Sequence, residues 1–141
     1  MKRLLVLGAG TAGTMAVNKL RPRLSRDEWK ITVVDPSDKH YYQPGYLFIP
    51  FGIYQPEEVV KPTKRFMPSG VDHVSASVDR VVPDENLVLL DDGTKMPYDY
   101  LIIATGTTPR PDETPGMADD LGTSVHEFYT YEGATALAEK L

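Results

Sequence analysis

The sequence predicts an α/β fold: a parallel sheet flanked by helices, with a small antiparallel meander. Two apolar runs that end at small residues predict the parallel sheet, Arg3–Leu7 before Gly8 and Tyr98–Ile103 before Ala104. Short continuous apolar runs are typical of strands buried on both faces. The turn Asp91-Asp92-Gly93 between two further short runs predicts a hairpin, and therefore the antiparallel part.

Composition limits the possible functions of the chain. Its 141 residues are enough for one domain with a real core. A net charge of -5 gives no basic footprint for nucleic acid. The absence of cysteine excludes disulfides, thiolate metal sites and redox thiols from this stretch, and no metal site is predicted. The first apolar run is too short for a signal or transmembrane segment, so the expected location is cytoplasmic.

The first strand runs directly into three glycines at GxGxxG spacing, Gly8, Gly10 and Gly13. Apolar residues three to four apart predict a helix from Thr11 to about Leu20. At such a strand-to-helix turn the first glycine permits the tight turn, the second lets a pyrophosphate approach the backbone, and the third lets the helix pack on the strand. The motif therefore predicts a dinucleotide site, and the alternative is a tight turn without a ligand.

An acidic residue follows the next predicted strand, Ile31–Val34. The carboxylate of Asp35 can accept hydrogen bonds from both ribose hydroxyls and would repel a 2′-phosphate. A tight turn without a ligand does not predict this residue. Together the two features favour FAD or NAD over NADP.

The segment His40–Tyr54 contains six aromatic residues but has neither helical nor strand periodicity. Pro44, Gly45, Pro50 and Gly52 would interrupt either structure, so an irregular segment is expected. It is either a loop that covers the edge of the sheet or a wall for a flat aromatic ligand.

The middle of the chain predicts a short helix and several strands. The helix is expected over Thr63–Met67, beginning after Pro62, and a strand over Val71–Val78. Val81-Val82 and Asn86–Leu90 follow, and the chain returns through Lys95–Pro97 after the hairpin turn.

The last part of the chain begins with the second apolar strand and its small-residue turn, Ala104-Thr105-Gly106. Small residues at a strand end let a cofactor approach the carboxyl edge of an open sheet. Beyond a turn-rich connection, a short strand is expected at Val125–Phe128. Thr130 is then expected to cap a helix over Tyr131–Leu141.

These features together resemble the N-terminal FAD-binding portion of the pyridine nucleotide-disulfide oxidoreductase-like family, a Rossmann-like domain. The matching marks are the glycine turn, Asp35 and Ala104-Thr105-Gly106 with the hairpin before it. Within the family, His40–Gly45 and Lys64–Val71 look most like sulfide:quinone oxidoreductases and flavocytochrome c sulfide dehydrogenases.

The resemblance implies FAD as the cofactor and assigns its contacts. The implied contact residues are Gly8, Gly10, Thr11, Ala12, Gly13, Asp35, Pro36, Tyr42, Gln43, Pro44, Val78, Ala104, Thr105 and Gly106. The resemblance implies that residues around Gly10 and Ala12 bind the pyrophosphate and that Asp35 binds the adenosine ribose. Val78, at the end of the third predicted strand, would lie beside adenine, and Thr105 and Gly106 would support the central part of the FAD. Tyr42, Gln43 and Pro44 would lie along the isoalloxazine.

No catalytic acid, base or nucleophile is assigned. The three histidines, His40, His73 and His126, are interpreted as isolated and either solvent-facing or satisfied. Among them, His126 is the best placed to act as an acid or base.

The resemblance also implies a longer protein. Residues 1–125 are expected to form the FAD-binding domain, incomplete relative to the family, and 126–141 to begin the connection to a second domain. For the whole protein the resemblance implies a place at a membrane surface, where two electrons would pass from sulfide through FAD to a quinone. The alternatives are an NAD(P)H-dependent flavoprotein reductase, such as a type II NADH dehydrogenase, and a binding or assembly module without catalysis.

For the isolated chain we expect no activity, no contact with membranes and weak cofactor loading. The cysteine pair that the family uses for sulfide oxidation is not in this stretch. A sheet without its last strand has an exposed edge, so self-association is also expected.

Overall fold

The computed structural model describes the whole chain from Met1 to Leu141. It forms two compact units, one comprising Met1–His40 and Pro62–Gly106, the other Tyr41–Lys61 and Thr107–Leu141. None of its helices has the length and apolar character needed to cross a bilayer. The domain boundary expected at residue 125 stays a prediction.

The secondary structure consists of short strands, three α-helices and several 3-10 segments. The strands are β1 (Lys2–Leu7), β2 (Trp29–Val34), β3 (Lys39–Tyr41), β4 (Val60–Pro62), β5 (Asp72–Val74), β6 (Val78–Val82), β7 (Leu87–Leu90), β8 (Lys95–Pro97) and β9 (Tyr100–Ile103). The α-helices are α1 (Thr11–Leu20), α2 (Met117–Asp120) and α3 (Tyr131–Ala138). The 3-10 segments are Arg21–Arg23, Gln43–Phe48, Pro56–Val59, Thr63–Phe66, Pro83–Glu85 and Pro111–Glu113.

The first unit is built on a four-stranded sheet with the order β5-β2-β1-β9. All three pairings are parallel, which confirms the predicted parallel sheet. Val6 and Val33 at its centre have no exposed surface. Full burial of a side chain of this size contributes roughly 1.5–3 kcal/mol, so these central strands form the core of the unit.

The two faces of this sheet are covered by different elements. On one face Leu4, Val6 and Ile31 pack in a cluster with Val17 of α1. On the other, Leu5 and Leu7 pack in a cluster that includes residues of β7. Alternate residues of β1 therefore point to a helix and to the meander, which explains why the run carries no polar residue between Leu4 and Leu7.

The antiparallel meander has the strand order β6-β7-β8. Its predicted hairpin turn is confirmed: Gly93 has a φ of +84°, and the amide of Leu90 donates to the carbonyl of Thr94 at 3.0 Å. Val88 and Leu90 are buried, and their side chains join the cluster of Leu5 and Leu7.

The single strand expected over Val71–Val78 is wrong. Asp72–Val74 pairs in parallel with β2, whereas Val78–Val82 is the first strand of the meander. The chain changes sheet over residues 75–77, where the amide of Asp91 donates to the carbonyl of Ser77 at 3.0 Å. The alternation of apolar and polar residues continues across the change, so periodicity alone does not reveal it.

The second unit has its own small core of Tyr46, Ile49, Val59 and Ala134. The irregular structure expected over His40–Tyr54 is partly wrong, because Lys39–Tyr41 is a strand and Gln43–Phe48 is a 3-10 segment. Proline is tolerated at the start of such a segment, where its missing amide would have no partner.

The final helix begins as predicted. The hydroxyl of Thr130 accepts a hydrogen bond of 2.9 Å from the amide of Gly133, and α3 starts at Tyr131. The strand expected at Val125–Phe128 is wrong: Val125 makes one isolated bridge with Leu121. The short helix expected after Pro62 is confirmed as a 3-10 segment, Thr63–Phe66.

Candidate functional site

The carboxyl ends of three neighbouring strands bring together the glycine turn, Asp35 and Ala104. The amide of Gly8 donates to the carbonyl of Val34 at 2.8 Å, and that of Ala104 donates to the carbonyl of Leu7 at 2.7 Å. The predicted convergence of these groups at one sheet edge is therefore confirmed. Ligands of open α/β sheets bind at this edge.

Two of the three glycines are required by close packing within the protein. Gly8 has a φ of +99°, and a Cβ there would overlap the carbonyl oxygen of Ala104. A Cβ on Gly13 would overlap the carbonyl oxygen of Gly8. Any larger residue at these positions would separate the turn from β9 or α1 from β1.

Gly10 has a different environment. A Cβ at this position would meet no atom within 4 Å, and its φ of -70° is open to every amino acid. Packing and backbone conformation therefore do not require glycine here. The space above Gly10 is available to a ligand group that approaches the backbone closely.

The first turn of α1 is open to an anion. Gly10 is the N-cap, no side chain caps the helix, and no acidic residue lies in its first turn. Thr11 and Ala12 are exposed. Backbone amides at a helix start have no partner within the helix, and they bind phosphate or carboxylate groups readily.

The side chain of Asp35 is hydrogen-bonded to the glycine turn that follows β1. Its Oδ2 accepts a hydrogen bond of 2.6 Å from the amide of Ala9, and its Oδ1 accepts one of 2.7 Å from the amide of Ser37. Each carboxylate oxygen has lone pairs for a second donor, so ribose hydroxyls could still bind. The bond to Ala9 is not predictable from the sequence, because no local pattern connects residues 26 apart.

His40 also contacts the turn and is a satisfied histidine, one of the two surroundings expected for it. Its Nδ1 lies 3.0 Å from the carbonyl oxygen of Ala9, and its ring centroid lies 4.3 Å from that of Phe66. Nothing in the sequence around His40 indicates this contact.

The remaining predicted contacts of the first unit have varied surroundings. Pro36 is exposed, and its carbonyl accepts a hydrogen bond of 3.4 Å from the hydroxyl of Ser75. Thr105 and Gly106 are exposed beyond the end of β9. Val78 is not at the end of the strand predicted to contain it, because that strand, β5, ends at Val74. It begins β6 and packs half-buried against the cluster of Leu5 and Leu7.

Tyr42, Gln43 and Pro44 belong to the second unit and are exposed. Gln43 and Pro44 line a cavity of about 550 Å³. Its other lining residues are Leu47, His126, Glu127, Phe128 and Tyr129. His126 thus shares a cavity with two of the predicted isoalloxazine contacts.

Residues 2–141 match the sequence model of the pyridine nucleotide-disulphide oxidoreductase family. The chain belongs to this family. Its similarity to mitochondrial sulfide:quinone oxidoreductase of Dictyostelium discoideum is 34% identity over 131 residues, 92% of this chain and 29% of that protein. Its similarity to type II NADH:quinone oxidoreductase of Staphylococcus aureus is 30% identity over 119 residues, 84% of this chain and 29% of that protein.

The fold is also that of a solved family structure, the sulfide:quinone oxidoreductase of Aquifex aeolicus, with a TM-score of 0.84 and 24% identity. That match covers 99% of this chain and 31% of the other. The fold class and the family inferred from the sequence are therefore confirmed, as is the enzyme class, a flavin-dependent oxidoreductase family. The chain spans less than a third of the length of these relatives.

Proposed function

We propose that the first unit binds FAD at the edge where β1, β2 and β9 end. The observation that carries this proposal is the open space above Gly10, beside an uncapped helix start and the carboxylate of Asp35. A phosphate at the helix start and a ribose at the next strand suit one adenine dinucleotide.

The residues present fit the adenosine and pyrophosphate parts of such a ligand. Gly10, Thr11 and Ala12 would bind the pyrophosphate through backbone amides, and Asp35 would accept from the ribose hydroxyls. The carboxylate would repel a 2′-phosphate, which favours FAD over NADP.

The other predicted contacts are part of the same proposal. They are Gly8, Gly13 and Pro36 around the turn and ribose, Val78 near adenine, Ala104, Thr105 and Gly106 along the central part, and Tyr42, Gln43 and Pro44 beside the isoalloxazine. FAD, when bound, supplies two-electron redox chemistry. This chain's residues would hold and orient it.

For the whole protein we propose electron transfer from sulfide to a quinone. Support comes from the 34% identity to a protein named sulfide:quinone oxidoreductase. The 30% identity to a type II NADH:quinone oxidoreductase favours NADH as the second candidate donor. A quinone acceptor is common to both names.

Cofactor binding can be measured on this chain. Because weak loading is expected of the isolated chain, FAD binding is measured at equilibrium: in dialysis FAD should accumulate on the side of the purified protein, and calorimetry should detect ADP binding. Binding of 2′-phospho-ADP should be at least about tenfold weaker because of repulsion by Asp35. A chain that binds neither FAD nor ADP would contradict the proposal and favour a module without a cofactor.

The electron donor can be identified in the whole protein. Its bound flavin, mixed anaerobically with sulfide or with NADH, should lose its oxidised absorbance rapidly with sulfide only. Rapid bleaching by NADH alone would replace the proposal with the second candidate.

A further inference from the structure

We propose that His40 is a positioning residue that fixes the Ala9–Gly10 peptide for the dinucleotide. This inference rests on the proposed function, since the peptide belongs to the proposed pyrophosphate site. The Nδ1 of His40 lies 3.0 Å from the carbonyl oxygen of Ala9. A carbonyl only accepts hydrogen bonds, so Nδ1 must carry the proton. The neutral side chain is therefore the Nδ1–H tautomer.

Ala9 is held on both of its backbone groups. Its amide donates to Oδ2 of Asp35 at 2.6 Å, while its carbonyl accepts from His40. Ala9 is also almost fully buried. Two hydrogen bonds, one from the residue that follows β2 and one from β3, therefore determine the orientation of this residue before any ligand binds.

The contact with His40 also sets the direction of the next amide. In a planar trans peptide, the N–H of Gly10 points opposite to the carbonyl of Ala9. It therefore points away from His40, and Gly10 itself is exposed, with no atom within 4 Å of the position that a Cβ would take. By holding the carbonyl, His40 keeps this N–H in the direction from which a phosphate would be bound.

The imidazole is itself held in place. Its ring packs on Phe66 with an interplanar angle of 36°. Asn18 of α1 donates to the carbonyl of Phe66 at 2.7 Å and to the carbonyl of Thr14 at 2.8 Å. Phe66, on which His40 packs, is therefore hydrogen-bonded to the same helix whose first turn forms the proposed phosphate site.

The first test is the tautomer, which needs no ligand. Long-range ¹H–¹⁵N NMR spectra of the free protein, recorded above the titration range of the ring, should show His40 as the Nδ1–H form. His73 and His126 serve as references in the same spectrum. A His40 in the Nε2–H form would overturn the proposal, whether or not the chain binds a dinucleotide.

The second test uses variants that differ in the position of the donor. In His40→Asn the amide nitrogen takes the place of Nδ1, so ADP affinity should stay within about threefold of wild type. In His40→Gln the nitrogen lies further out, and in His40→Phe the ring remains without a donor. For both we expect about tenfold weaker ADP binding, the effect of one hydrogen bond.

The outcomes separate this inference from the proposed function. His73→Phe, at an exposed histidine, should bind ADP like wild type. Wild-type affinity in His40→Gln and His40→Phe would overturn the role of His40 and leave the dinucleotide site intact. Absence of ADP binding in wild type would overturn the proposed function. If His40→Phe fails to fold, the comparison of the Asn and Gln variants decides the matter.

Discussion

The carboxylate of Asp35 accepts a hydrogen bond of 2.6 Å from the backbone amide of Ala9, so the end of β2 is tied to the glycine turn that follows β1. The same side chain accepts from the amide of Ser37 through its other oxygen. A residue proposed to bind ribose therefore also shapes the neighbouring phosphate site.

Asp35→Asn should lower both stability and ligand affinity. The amide nitrogen of asparagine cannot accept, so either Ala9 or Ser37 loses its acceptor. We expect a loss of about 1–3 kcal/mol in the free energy of unfolding and weaker ADP binding. Urea denaturation and calorimetry measure the two effects. Asp38→Asn, at an exposed carboxylate nearby, is the control and should resemble wild type. Unchanged stability in Asp35→Asn would show that the turn does not depend on this bond.

Alanine substitutions of Gly10 and Gly13 should affect different properties: the substitution at Gly13 should lower the free energy of unfolding, and that at Gly10 should lower ligand affinity. Gly13→Ala would place Cβ against the carbonyl of Gly8, and we expect it to lose at least about 2 kcal/mol of stability. Gly10→Ala meets no atom, so its stability should lie within about 0.5 kcal/mol of wild type.

Gly10→Ala should affect ligand binding rather than stability, because its new methyl group would fill the space proposed for the pyrophosphate. ADP affinity should fall at least about tenfold in this stable variant. A Gly10→Ala protein with wild-type affinity would place the phosphates elsewhere.

Features that depend on local residues were predictable from the sequence. The strand, turn and helix around Gly8, Gly10 and Gly13 form one continuous pattern, and so does the Asp91-Asp92-Gly93 hairpin. Thr130 likewise marks the start of α3. Each is determined by propensity and capping within a few residues.

Features that depend on distant contacts were not predictable. The bonds of Asp35 and His40 to Ala9 connect positions far apart in sequence. The break between β5 and β6 follows from their different pairing partners, since β5 pairs with β2 and β6 pairs with β7 although both lie in one alternating stretch of sequence. Periodicity reports which face is apolar, but it does not report the partner.

The outer edge of β9 should cause concentration-dependent self-association. This strand pairs only with β1 in the four-stranded sheet, and Tyr100 and Ile103 are 51% and 63% exposed. Exposed apolar edges readily pair with other chains, whereas lysine discourages pairing. Sedimentation should show dimers or larger species that decrease in Ile103→Lys. Leu141→Lys, at an exposed residue outside the sheet, is the control. A chain that stays monomeric at high concentration would refute this expectation.

Two buried threonines should respond differently to replacement by valine. Thr63 is 1% exposed, and its hydroxyl has no hydrogen-bond partner. Thr63→Val removes that unpaired group, so stability should be unchanged or rise by up to about 1 kcal/mol. The hydroxyl of Thr14 instead donates to the carbonyl of Gly10 at 2.8 Å. Thr14→Val should lower the free energy of unfolding, measured by urea denaturation, by about 1 kcal/mol. Equal losses in the two variants would contradict this distinction.

The pair of Arg3 and Asp99 should make stability depend on acid pH. Three hydrogen bonds from the side chain and the backbone of Arg3, the shortest at 2.6 Å from the backbone amide, lower the pKa of Asp99 to about 2 from its ordinary value near 4. Because the folded pKa lies below the unfolded one, the pair stabilises the fold above about pH 4, and this contribution disappears as the pH falls toward 2.

The measurement is the urea midpoint of wild type and Asp99→Asn between pH 2 and pH 7. Wild type should be the more stable protein at neutral pH, and the difference should shrink as the pH falls from about 4 to about 2, since protonated aspartate and asparagine then accept similarly. Asp84→Asn, at an exposed carboxylate in the Pro83–Glu85 segment, corrects for general charge effects. A difference that stays constant across this range would show that the ionised form of Asp99 gains nothing from Arg3.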